Sequence, residues 1–189
     1  MRRLTIIALV LVLLLAFSTV TLAMPNRAPA PGEDSIAAIA IAADDFNELV
    51  AALVYVDTVL DAGLVDLFLD GTDQFTVFAP TDEAFVAVYA AYEEEYGGVV
   101  NEITDLPAEL VLDVLLYHVV EGRRAANSVV PPVRDRTITT LLGASFTVNS
   151  DAVITDIYGQ EAEILAANIS ASNGLIHVID TVLLPLESE

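Results

Sequence analysis

Beyond residue 35 the apolar positions of this chain fall into two patterns, one helical and one short and β-branched, in that order along the sequence. Ile36, Ile39 and Ala40 share one helical face, and Phe46, Leu49, Val50 and Leu53 share another. Asp44 or Asp45 supplies a cap for the second of these helices. Residues 56–62, followed by Gly63, predict a third helix stopped by glycine. Asp70-Gly71-Thr72-Asp73 reads as a turn. The stretch 75–79 after it is almost wholly apolar, the mark of a short strand buried on both faces.

Thr81 suits a helix N-cap, with Asp82 and Glu83 placed where the helix dipole favours negative charge. That helix runs to Tyr96, with Ala84, Phe85, Val88 and Tyr89 inward and Glu93-Glu94-Glu95 outward, and Gly97-Gly98 ends it. Pro107 opens a further helix that reaches Tyr117 or His118, and its run of leucine and valine from Leu110 to Leu116 leaves few polar positions. After Arg124 the pattern changes. Residues 137–142, 145–149, 152–157, 162–166 and 175–182 are short and β-branched, separated by turns at Gly143, Asn149-Ser150-Asp151, Gly159 and Asn173-Gly174. Helices first and strands later, with one early strand returning to the sheet, predict an α+β domain and not a repeating βαβ one.

Composition adds an address. Met1-Arg2-Arg3, an apolar run over residues 6–17, and small residues up to Ala23 form an export signal spanning residues 1–23, too short for a membrane anchor of about 20 apolar residues. Residues 24–34 are proline-rich with little to bury, a flexible leader, and residues 35–186 remain as a single domain. No later stretch is long and apolar enough to span a membrane. The chain has no cysteine, so an exported product holds together by core packing, which 55% hydrophobic residues allow.

Lysine is absent. With Arg2 and Arg3 removed, five basic residues stand against 28 acidic ones, a formal balance of −23. Such a surface repels nucleic acid and anionic membranes. It suits solubility, and is also compatible with a high-salt habitat or diffuse binding of divalent cations.

Candidate chemistry is thin. His118 and His177 are the only histidines and both lie in apolar runs. Gly143-Ala144-Ser145-Phe146-Thr147 lacks the closing glycine of a nucleophile elbow and sits between two strands. There is no HExxH pattern, no calcium loop and no glycine-rich phosphate cradle, so neither a metal nor a cofactor is expected. Asn168-Ile169-Ser170 is the sole glycosylation sequon.

Three stretches carry a resemblance. Phe75-Thr76-Val77-Phe78-Ala79-Pro80-Thr81-Asp82-Glu83-Ala84-Phe85, the central Leu115-Leu116-Tyr117-His118-Val119-Val120, and Asn173-Gly174-Leu175-Ile176-His177-Val178-Ile179-Asp180-Thr181-Val182-Leu183-Leu184-Pro185 resemble, in order and separation, the signature motifs of the fasciclin domain. The resemblance implies a β-wedge of short sheets flanked by the N-terminal helices. It gives Thr81, Asp82 and Asp180 the work of capping and of tying the two outer segments together. It also implies adhesion: the Tyr-His motif, matched by Tyr117 and His118, has been implicated in integrin-dependent binding in animal members. A second adhesion motif centres on an Asp-Ile pair, where this chain carries Asn168 and Ile169 without the carboxylate that metal-assisted contact uses.

The expectation is therefore a monomeric, secreted or cell-surface adhesion module, not an enzyme, binding an extracellular protein or polysaccharide partner through Tyr117, His118, Asn168 and Ile169. Inside the fold, Tyr117 and His118 can equally serve by packing the last helix against the sheet. The alternative function is a small-molecule binder or lyase-like enzyme with a pocket between helices and wedge, in which His118 is the polar group.

Overall fold

The computed structural model describes residues 30–185; the export signal and leader residues 24–29 lie outside them. Two apolar strands set the architecture. β1 (Phe75–Pro80) and β7 (Gly174–Ile179) run parallel, in a register from Phe75 opposite Gly174 to Pro80 opposite Ile179. The other strands are β2 (Val119–Glu121), β3 (Arg136–Thr139), β4 (Ser145–Val148), β5 (Val153–Thr155) and β6 (Glu161–Ala171). They complete one seven-stranded order, β2-β1-β7-β6-β5-β4-β3, in which every pairing except β1 with β7 is antiparallel.

β6 is the corner of the wedge. Its first residues pair with β5 and its later ones with β7, with irregularities between Ile164 and Ala166 and again between Ala166 and Ile169. Such bulges bend a strand and let it serve two sheets. Because both faces of β1 are covered, it is buried from end to end. Phe75, Val77 and Ala79 point into the core formed with the helices, and Phe78 points into a second core inside the wedge with Tyr117, Phe146, Ile154 and Ile179.

The helices are α1 (Ile36–Ala42), α2 (Asn47–Leu60), α3 (Leu64–Leu69), α4 (Asp82–Tyr96), α5 (Ala108–Tyr117) and the short α6 (Ala126–Val129), with a 3-10 turn at Ile103–Asp105. Three expectations are corrected here. First, α2 does not break before Val56; it continues to Leu60, and Gly63 precedes α3 instead of ending a helix. Second, Asp44 and Asp45 do not cap α2. Its N-terminus is capped from a distance by Asp82, whose carboxylate accepts from the Glu48 amide at 2.8 Å and from the Asn47 side chain at 2.9 Å. Third, Thr81 stands at the N-cap position of α4 without a side-chain capping bond; its amide instead donates to the Ile179 carbonyl at 3.2 Å, joining the two signature segments. Asp180, next to Ile179 at the same end of β7, accepts from the Glu163 amide of β6 at 2.8 Å and so ties β7 to β6, not to the first signature segment.

The end of the predicted flexible leader is also held. Gly32 donates to the Ala171 carbonyl at 3.2 Å, and an added Cβ there would run into the Ser170 carbonyl, so only glycine fits. Asn173 fastens the start of β7: its Oδ1 accepts from the Ile36 amide at 2.8 Å and its Nδ2 donates to the Phe68 carbonyl at 2.9 Å. It thereby ties α1, α3 and β7 in one buried side chain.

Asn173→Ala leaves a buried amide and a buried carbonyl without partners, and is expected to cost about 2–4 kcal/mol of stability. Asp82→Ala removes a helix cap at a half-exposed site and is expected to cost about 1 kcal/mol. Urea unfolding of both variants checks the ranking, and an Asp82 variant as damaging as the Asn173 one would contradict it.

Candidate functional site

His118 closes α5 and bonds to its own helix, to β1 and to the segment after β7. Its Nδ1–H donates to the Val114 carbonyl at 2.7 Å, its Nε2 accepts from the Leu183 amide at 2.9 Å, and its own carbonyl accepts from the Phe78 amide at 2.9 Å. Both ring nitrogens are thus engaged, one as donor and one as acceptor, which fixes the neutral tautomer. Burial pulls the imidazole pKa down to about 4, against a weaker upward pull from the Val114 carbonyl. Tyr117 beside it is buried too. Its hydroxyl donates to the Ser145 carbonyl at 3.0 Å, and burial, with the charge of Asp156, pushes the phenol up to about 12.

His177, on β7, repeats this arrangement. Its Nε2–H donates to the Arg124 carbonyl at 2.9 Å, and its Nδ1 accepts from the Asn168 amide at 3.3 Å. Burial lowers its pKa as well. Asn168 sits at the β6 irregularity with a left-handed φ of 64°, and its Oδ1 accepts from the Ala126 amide at 2.8 Å. Asparagine tolerates that backbone conformation because its short polar side chain can bond locally.

The sequence-predicted site residues therefore divide. Asn168 and Ile169 are half-buried, with part of each at the surface. Tyr117 and His118 are buried, so the surface exposure that direct contact needs is not there, and the fold uses their polar atoms internally. The two pairs are linked through His177, Phe78 and Phe146, with ring centroids 5.4 Å apart for Phe78–His177, 5.0 Å for Phe78–Phe146 and 5.9 Å for Tyr117–Phe146.

Sequence reasoning missed two organising residues. Arg123 donates from Nη1 to the Ala171 and Gly174 carbonyls at 2.9 and 2.5 Å, and from Nη2 to Ser170 Oγ and the Ala30 carbonyl at 2.5 and 3.2 Å. The buried Asp156 accepts three backbone amides, from Tyr158, Gln160 and Leu184, at 2.9, 2.9 and 3.1 Å. The available signal for Arg123 was its rarity as a cation in so acidic a chain; Asp156 offered none beyond a carboxylate before a turn.

A cavity of about 350 Å³ lies between α2, α4 and α5, with His118 in its wall. Among the described residues, no group of three or more His, Cys, Asp or Glu side chains is placed to hold a metal ion, and no helix is long and apolar enough to cross a membrane.

Helices packed on one face of a bent wedge of short strands, closed by buried neutral histidines, make the architecture of a FAS1 domain. The FAS1 domain pair of the insect cell adhesion molecule fasciclin I shares this fold at a TM-score of 0.63 and 17% identity, covering 82% of this chain and 52% of that one. The chain belongs to the fasciclin domain family, whose model matches residues 45–185. Relatives include protein sll1483 of Synechocystis, 31% identical over 86% of this chain and 80% of that protein. The immunogenic protein MPB70 of Mycobacterium bovis is 31% identical over 78% of this chain and 68% of its own. The cell surface glycolipoprotein MPB83 of the same organism is 33% identical, over 66% of this chain and 49% of its own.

Protonating His118 would turn Nε2 into a donor facing the Leu183 N–H, and protonating His177 would do the same against Asn168. A histidine held at about pKa 4 in the native state, against roughly 6.5 unfolded, binds fewer protons folded than unfolded between those values. Stability from this group is therefore full above about pH 6.5 and falls as the pH drops, by about 2 kcal/mol at pH 5, with His177 adding in the same direction. Urea unfolding at pH 7.5 and pH 5, together with an NMR titration of the imidazoles, measures it; equal stability at the two pH values would contradict the neutral-tautomer assignment.

Proposed function

We propose that this chain is a secreted or cell-surface recognition module that binds a protein or glycan partner, and that it does so without catalysing a reaction. The observation that carries this reading is the occupation of both histidines. His118 and His177 spend each ring nitrogen on the scaffold, so the groups best suited to proton transfer serve structure, and recognition falls to loops and strand edges. The names of two relatives, a cell surface glycolipoprotein and a cell adhesion molecule, favour the same setting.

Asn168 and Ile169 form the part of the contact surface that the chain itself nominates. They stand on β6 where it bends; the Asn168 carboxamide accepts from the Ala126 amide, and Ile169, half-buried, packs partly against the helical core with the rest of the residue at the surface. Tyr117 and His118 act beneath this surface as positioning residues. With 28 acidic residues and few cations, the partner surface is neutral or basic, and salt weakens the contact to the extent that charge contributes.

Binding of the purified protein to host cells and matrix polymers, with and without calcium, tests the reading. Saturable binding is expected, lowered about tenfold by Ile169→Ala in a protein whose circular dichroism is unchanged, the size of effect a modest interface residue gives. Asn168→Asp keeps the acceptor for the Ala126 amide and is expected to fold normally. Absence of saturable binding under every condition would refute the proposal, and an Ile169 variant that binds normally would remove this segment from the contact surface.

A further inference from the structure

We infer that the cavity between α2, α4 and α5 is a binding site for a small apolar molecule that carries no negative charge. Its volume of about 350 Å³ lies within the range of small-molecule sites, roughly 300 Å³ upward. The inner walls are aliphatic, with Leu49 and Val111 among them, and the imidazole of His118 adds no free polar atom because both its nitrogens are bonded. An occupant is therefore held by shape and burial in the interior and by polar contact only at the mouth.

The mouth is built differently. Tyr92 and Tyr96 lie one helical turn apart on α4 with ring centroids 4.6 Å apart and planes tilted by 30°. Tyr158, from the turn between β5 and β6, lines the same opening. Tyr96 and Tyr158 are 57% and 58% exposed, large aromatic surface left uncovered beside an apolar cavity. The sole charged residue lining the cavity is Glu95, on the α4 turn between the two stacked tyrosines. Aromatic faces beside a carboxylate favour an uncharged or cationic end and oppose a carboxylate, sulfate or phosphate, and the net negative charge of the chain acts in the same sense. The occupant this selects is an apolar body with a neutral or cationic polar end. The inference does not rest on the recognition reading, and either can fail alone.

Fluorescence titration of the purified protein tests it with two probes, the uncharged N-phenyl-1-naphthylamine and the carboxylate cis-parinaric acid. The uncharged probe is expected to saturate at one site per chain, and the carboxylate to bind about tenfold more weakly, the scale of one unfavourable charge contact. Glu95→Lys is expected to strengthen parinarate binding about tenfold relative to the uncharged probe. Val88→Trp, inside the cavity, and Ala91→Trp, at its exposed rim, are each expected to abolish binding of the uncharged probe. If the interior variant does not fold, the rim variant decides, since Ala91 is an exposed residue that also lines the cavity. Three results would overturn the inference: no saturable signal, saturation that survives the tryptophan at the rim, or sedimentation as a dimer that must dissociate before the probe binds. The last would make this face an interface between two copies.

Discussion

The parallel pairing of β1 with β7 is the constraint on which the remaining structure depends. A parallel pair requires a crossover, and here the crossover contains α4, α5 and five of the seven strands. Closing so long a segment carries an entropic cost that grows only slowly with its length, so the cost is tolerable once both ends are fixed. They are. Asn173 and Arg123 hold the start of β7, Thr81 and Asp180 hold its end, and the side chains of β1 enter the two cores alternately. Shifting β1 by one residue would exchange Phe78 with its neighbours between the cores, which is why the register is unique.

A chain so rich in carboxylates and poor in cations must find another use for its charge, and it uses carboxylates as acceptors for backbone amides. Asp57 accepts from Leu64 and Val65 at the start of α3, Asp82 serves α2, and Asp156 takes three amides of the β5–β6 turn and the C-terminal strap. Each bond meets an N–H that a helix start or turn leaves unpaired, and at a helix start the dipole adds to it. Arg123 makes the converse bond, spreading one cation over the carbonyls that β6 and β7 present. In a chain without cysteine, core packing is thus joined by amide-directed carboxylates and not by disulfides.

Elements whose logic is local were legible in the sequence. The apolar run at β1, the glycine stop after α4 and the helical face of Ile36, Ile39 and Ala40 in α1 follow from periodicity and capping, and the structure has them where expected. The strand expected over residues 162–166 was read too short because β6 is bent: a strand serving two sheets loses strict alternation, so only part of the eleven-residue strand showed the pattern. Capping by Asp82 was illegible for another reason. Its partner helix lies 34 residues earlier, and no local rule connects them. Asp57, likewise, caps the next helix from inside its own, which is why α2 was read as two. The burial of Tyr117 and His118 was an open question in the sequence, since an aromatic and a histidine at a helix end fit either a contact surface or a core.

That burial bears on how any loss of binding in this motif is to be understood. His118 joins α5, β1 and the segment after β7, and it also forms part of the cavity wall. Removing its ring unpairs the Leu183 amide and the Val114 carbonyl, and Tyr117 transmits any shift to Phe146 and so to Phe78 and His177, which borders Asn168. A defect at the surface is then the expected result of a change in the interior, whether or not a partner ever touches the altered residue. Double-mutant coupling separates the cases. Residues that act only through packing couple to their neighbours in unfolding free energy as strongly as in binding, whereas a contact residue couples to its partner alone.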